Sequence, residues 1–217
     1  MKLQTAIDRV SLEQMLELGQ GLCGHTDLVE VGTSLIKEYG IAASVGAMRR
    51  SFPNMTILAD IKTCDEGAYE FQKAYEAGAD VATVMGFSTD ATIRACAEVA
   101  EAFGKDWFID LMELPEEAVY RVAMNWPNAI FGVHLSFDQQ GAGLRALVSR
   151  STQIIHAAEA TDGKLRRIAV AGGVKLDVLP ELKLCGVDTV IVGSAITKAT
   201  EISQAAEAFF RACHKTT

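Results

Sequence analysis

Eight short apolar, β-branched runs with helix-like stretches between them constrain this chain more than any other feature. The runs are residues 3–8 (LQTAID), 27–32 (DLVEVG), 56–62 (TILADIK), 80–85 (DVATVM), 107–112 (WFIDLM), 129–134 (AIFGVH), 167–172 (RIAVAG) and 188–193 (DTVIVG). Continuous apolar runs of this kind suit strands buried on both faces of a parallel sheet. The stretches between them read as helices. Ser11 and Gln14 make a capping box, and Leu12, Met15 and Leu16 form one apolar stripe behind it. After Ser88, the residues Ile93, Cys96, Ala97, Ala100 and Phe103 recur at helical spacing, and Gly104 offers a stop. Ala77-Gly78-Ala79-Asp80 and Cys185-Gly186-Val187-Asp188 resemble helix-to-strand turns. Eight such units fill 217 residues with little room for insertions. The expectation is one domain, residues 1–217, folded as a (β/α)8 TIM barrel. A doubly wound open sheet is the alternative; the count of eight favours the barrel.

The polar residues follow the barrel rule that active sites sit at the C-terminal strand ends. Strand one ends in Asp8, strand two in Glu30, and strand three in Asp60 and Lys62. Asp110 lies near the end of strand five and His134 at the end of strand six. Side chains alternate along a strand, so Asp60 and Lys62 should share the face that looks into the barrel mouth. Like charges crowded there repel, and unpaired buried charge is costly. Lys62 offsets one acid; a divalent cation would offset more. Oxygen-only ligands favour a hard ion such as Mg²⁺. Singly, these acids also suit ordinary ion pairs or helix caps. The last two strands end in glycines, at Gly172-Gly173 and Gly193-Ser194, where backbone N–H groups can hold a phosphate.

Two other signals carry less. Gly19-Gln20-Gly21-Leu22-Cys23-Gly24 matches a dinucleotide fingerprint letter by letter, yet it closes a helix and precedes a strand, the reverse of what that site needs. Gly141-Ala142-Gly143 reads as a loop. His25, His156 and His214 have no metal-ligand spacing and read as surface residues. The formal charge of −8 argues against a nucleic-acid surface. No apolar run approaches the ~18 residues of a membrane span, and the first residues do not read as a signal peptide. Five scattered cysteines without a C-x-x-C pair read as reduced thiols, so a cytoplasmic location is expected.

The segment Asp60-Ile61-Lys62-Thr63-Cys64-Asp65-Glu66-Gly67 contains Asp-x-Lys-x-x-Asp. It resembles the signature of the orotidine-5′-phosphate decarboxylase superfamily, and within it is most similar to the 3-hexulose-6-phosphate synthases. Residues 2–8, Val29 to Thr33, Asp138-Gln139-Gln140 and Val170 to Lys175 match in order, so the resemblance spans nearly the whole chain. It implies a Mg²⁺-dependent condensation of D-ribulose 5-phosphate with formaldehyde through an enediolate. By matching positions, Glu30 and Asp60 would hold the metal and Lys62 would counter the enediolate charge. Asp8 would bind a substrate hydroxyl, and His134 would transfer a proton. Asp65 would reach across a homodimer interface into the neighbouring site. Gly172, Gly173, Gly193 and Ser194 would hold the phosphate. The chain departs from the family after strand six, where His134-Leu135-Ser136-Phe137-Asp138 replaces the usual His-Thr-Gly-x-Asp, and at Glu66, where alanine is usual.

Four rivals follow from the same resemblance. The 3-keto-L-gulonate-6-phosphate decarboxylases share the acid–lysine set but carry arginines where this chain has Leu135 and Phe137. Orotidine-5′-phosphate decarboxylase itself is metal-free, and its base-binding loops are not evident here. Ribulose-phosphate 3-epimerases need histidines at the ends of strands one to three, where this chain has none. A non-catalytic barrel that binds sugar phosphates is the reading outside enzymology.

Overall fold

In the computed structural model, which describes residues 1–139 and 143–215, the eight apolar runs form one closed barrel. The strands are β1 (Lys2–Ile7), β2 (Leu28–Val31), β3 (Ile57–Thr63), β4 (Val81–Met85), β5 (Asp106–Asp110), β6 (Ile130–His134), β7 (Arg167–Ala171) and β8 (Thr189–Val192). Each pairs in parallel with its neighbour in sequence, and β8 closes on β1 through Thr5↔Val192. The helices between them end as the sequence dictates. Ser11 and Gln14 make the reciprocal capping box on Leu12–Leu22, and Gly104 caps Asp90–Phe103 in the left-handed conformation. Gly19 and Gly21 lie inside Leu12–Leu22 and Gly24 follows it at φ 79°, so no dinucleotide turn exists there. Gln140, Gly141 and Ala142 lie outside the described residues.

Two apolar cores result from the two faces of the strands. The larger, between barrel and helices, includes Leu3, Ile7, Ile57, Phe71, Ile109, Phe131 and Val190. The smaller fills the barrel interior with Leu28, Leu58, Val81, Phe108 and Ala169. Gly132 faces the same interior on β6. A Cβ there would fall 2.2 Å from the Phe108 ring, so glycine makes the room that the ring occupies. Each fully buried Leu, Ile or Phe contributes roughly 1.5–3 kcal/mol. The interior plug shuts the bottom of the barrel. Strand alternation then sets the next inward residues, Glu30, Asp60, Thr83 and Asp110, two positions toward the C-terminal ends.

One inward residue arrives by a different route from simple alternation. The β3–β4 register shifts between Ala59↔Ala82 and Thr63↔Val84, and Lys62 has φ 48°. This left-handed conformation costs a lysine about 1 kcal/mol. It is held by the Lys62 N–H donating to Thr83 Oγ1 at 2.9 Å. Asp60 and Lys62 both face the mouth, but an irregularity in β3 aims the lysine.

Candidate active site

The mouth of the barrel opens into a cavity of about 980 Å³ lined by Asp8, Glu30, Asp60, Lys62, Asp110 and His134. Gly172, Gly173, Gly193 and Ser194, after β7 and β8, line it between the ends of β6 and β1. The residues singled out from the sequence therefore meet in one space, with Asp65 as the exception. Asp65 is exposed on the loop after β3, outside this cavity, and accepts from the Glu66 N–H at 2.8 Å.

Asp60 is buried and fully wired. It accepts from Thr33 Oγ1 at 2.7 Å and Thr83 Oγ1 at 2.9 Å, and it pairs with Lys62 Nζ at 3.0 Å. Lys62 Nζ also reaches Asp110 Oδ2 at 3.2 Å. That oxygen lies 2.8 Å from His134 Nδ1, and the other Asp110 oxygen accepts from the Met112 N–H at 2.9 Å. Burial works against a charged Lys62, and the carboxylates of Asp60 and Asp110 outweigh it, so its pKa is raised. Burial likewise opposes ionisation of Asp110; the His134 hydrogen bond and the Lys62 charge prevail, and its pKa is lowered. Asp60, Lys62, Asp110 and His134 thus form one hydrogen-bonded chain, with the Lys62 ammonium as its fixed positive point. With Asp110 accepting from Nδ1–H, the second ring nitrogen of His134 carries the basic lone pair.

Glu30 differs. Its carboxyl is buried and accepts one hydrogen bond, from Gln4 Nε2 at 2.6 Å. Burial first, and then the neighbouring Asp60 charge, push its pKa to about 8 against that bond. A carboxylate pair short of positive charge is what a divalent cation relieves. Among the described residues, no group of three or more His, Cys, Asp or Glu side chains could cage a metal. Mg²⁺ typically takes one or two carboxylates and completes its shell with water and substrate, so Glu30 and Asp60 fit that ion.

Asp8 lies just past β1 and bonds the Ser34 hydroxyl at 2.7 Å and the Ser34 N–H at 3.2 Å. It thereby caps helix Thr33–Tyr39, whose own N-cap, Gly32, has no side chain to do so. A Cβ on Gly32 would fall 2.2 Å from Asp8 Cγ, so Gly32 is the space in which Asp8 sits. After β7, Gly172 has φ 104°, and a Cβ there would strike the Leu135 carbonyl at 2.3 Å. Sequence reasoning left out Gln4, Thr33 and Thr83 and gave Asp110 no role. Their inward register on β1, β4 and β5 was the available signal for Gln4, Thr83 and Asp110. His156 is no free surface residue: its ring nitrogens bond Glu159 at 2.6 Å and the Cys185 carbonyl at 3.1 Å.

Over residues 1–209 the chain matches the family described as orotidine 5′-phosphate decarboxylase / HUMPS. The chain belongs to this family. Within it, the chain is 33% identical over 211 residues to a 3-hexulose-6-phosphate synthase of Bacillus subtilis (strain 168), covering 95% of each chain. It is 35% identical over 205 residues to the enzyme of the same name from Methylomonas aminofaciens, covering 94% of each. A crystal structure of a 3-hexulose-6-phosphate synthase superposes with a TM-score of 0.86 at 32% identity, over 98% of this chain and 99% of that one. Among the described residues, no helix is long and apolar enough to cross a membrane.

Proposed function

We propose that this chain joins D-ribulose 5-phosphate and formaldehyde to give D-arabino-hex-3-ulose 6-phosphate, as a Mg²⁺-dependent aldehyde-lyase. The observation that carries the reading is the Asp60–Lys62–Asp110–His134 chain, sharing one cavity with the glycine loops. Full-length similarity to relatives bearing the synthase name supports it.

The chemistry follows from these groups. The phosphate sits against the backbone of Gly172, Gly173, Gly193 and Ser194, which orients C1 and the C2 carbonyl toward the acids. A proton leaves C1, and the free ring nitrogen of His134 accepts it. The ammonium of Lys62, kept charged by Asp60 and Asp110, faces the oxygens on which negative charge develops. Mg²⁺ held by Glu30 and Asp60 would supply further stabilisation of that charge. Asp8, fixed by Ser34, accepts from a substrate hydroxyl. C1 of the enediolate then attacks the formaldehyde carbon as the C2 carbonyl re-forms, and the former aldehyde oxygen takes the proton held by the His134 ring to complete the new hydroxymethyl group.

The same reading includes a homodimer in which Asp65 serves the neighbouring site. Asp65 is exposed, and exposed Tyr69 and Phe87 follow the adjacent strands β3 and β4. Mixing Asp65→Ala with Lys62→Ala subunits tests this arrangement. Each variant is inactive alone, and the mixture recovers up to about a quarter of parent activity when one intact site forms per hybrid dimer. For the chemistry, D-ribulose 5-phosphate is incubated in D₂O without formaldehyde. Mg²⁺-dependent deuterium incorporation at C1 is expected, and absence of exchange counts against the enediolate.

A further inference from the structure

We infer that Arg9 is a phosphate-binding residue of this site, with the Phe137 ring as its resting platform. The inference deepens the sugar-phosphate reading above and rests on it. Four Lys or Arg side chains line the cavity among the described residues: Arg9, Lys62, Lys175 and Lys198. Lys62 is engaged by Asp60 and Asp110. A dianionic phosphate entering a cavity lined by five acidic side chains needs a cation from the other three. Lys175 and Lys198 are exposed, as is Arg9, so exposure does not choose among them.

Arg9 alone has a pose built around it. Its backbone is left-handed, at φ 55°, and its N–H donates to Ser34 Oγ at 2.7 Å. Ser34 Oγ in turn donates to Asp8, so one serine fixes Asp8 and the turn that aims Arg9. The Arg9 guanidinium carbon lies 4.1 Å from the centre of the Phe137 ring, on the loop after β6. Phe137 is 55% exposed, which leaves its ring face open to the guanidinium.

The position of this contact decides what it is for. β1 closes on β8, and the Ala6 carbonyl lies 3.6 Å from where a Cβ on Gly193 would be. β6 pairs with β7, and the Leu135 carbonyl abuts Gly172. The segment Ala6–Arg9 therefore flanks one glycine loop, and Leu135–Phe137 flanks the other. A contact joining Arg9 to Phe137 arches over both. A cation above a ring face is held without spending its N–H donors, so the guanidinium can present its planar fork to phosphate oxygens beneath.

The test is direct binding of D-ribitol 5-phosphate, an unreactive analogue, by calorimetry, with D-ribitol as the phosphate-free control. Charge-assisted hydrogen bonds of this kind correspond to roughly a 10- to 100-fold change in Kd. Arg9→Ala should weaken the phosphorylated ligand by that factor, and Arg9→Lys, which lacks the fork, should recover part of it. Phe137→Leu should cost about 2- to 5-fold in the parent and nothing further in Arg9→Ala. In turnover, KM for the sugar phosphate should rise with kcat nearly unchanged. Arg9→Ala or Arg9→Lys binding within twofold of the parent overturns the assignment while leaving the sugar-phosphate reading intact. Failure of the parent chain to bind D-ribitol 5-phosphate overturns both.

Discussion

Replacing Glu30 by Gln separates the site's electrostatics from its packing. In the folded chain Glu30 keeps its proton up to about pH 8, whereas its ordinary value is 4.5. Between those pH values the folded state binds more protons than the unfolded state, so stability falls as pH rises. The penalty is absent below about pH 4.5, grows through neutrality and is complete above about pH 8. A change from 4.5 to about 8 corresponds to at most about 5 kcal/mol. The adjacent Asp60 charge is part of the cause, so about 2–5 kcal/mol is the working range. Glu30→Gln keeps an oxygen to accept from Gln4 Nε2 and removes the charge. With chelator present, the variant should be as stable as the parent at pH 5. At pH 9 it should melt roughly 5–15 °C higher, at about 2–4 °C per kcal/mol for a chain of this size. Thermal melts of both proteins across pH 5–9 measure this. A variant that is equally or less stable than the parent at pH 9 would refute the buried-charge argument.

Three further outcomes follow from the geometry. Asp110→Asn removes the charge shared by Lys62 and His134 and should lower kcat/KM by roughly 10²-fold or more, with a folded barrel confirmed by circular dichroism. Gly132→Ala forces a methyl group into the Phe108 ring and should destabilise the barrel by about 1–3 kcal/mol in urea titration. Arg166→Ala should cost about 1–3 kcal/mol in urea titration. Its guanidinium is fully buried and donates to the Ala123 carbonyl, so its loss leaves that acceptor unmatched, while the exposed Asp162, paired with it at 2.8 Å, turns to water.

The barrel was legible because β1 to β8 each bury both faces and therefore read as unbroken apolar runs. Their observed ends fall within two residues of those expectations. Asp8, Glu30, Asp60 and His134 were legible because they interrupt or end such runs. The wiring was less so. Thr33 and Thr83 hold Asp60, but a threonine in a strand is as ordinary as a valine until its inward register is known. Arg9 and Phe137 are 128 positions apart, and their contact depends on β1 closing on β8 and on the conformation of two loops. The aim of Lys62 came from a register shift, which alternation along a strand does not foresee. Asp65 lies outside its own cavity, so a single chain holds no signal of what it touches.

The most direct test of the account is a two-substrate turnover assay on the purified chain. One reaction contains D-ribulose 5-phosphate and formaldehyde, with and without Mg²⁺; a parallel one contains 3-keto-L-gulonate 6-phosphate and is followed for CO₂. The account predicts Mg²⁺-dependent loss of formaldehyde in the first and little CO₂ in the second. CO₂ release without formaldehyde loss, or no turnover in either, would contradict it.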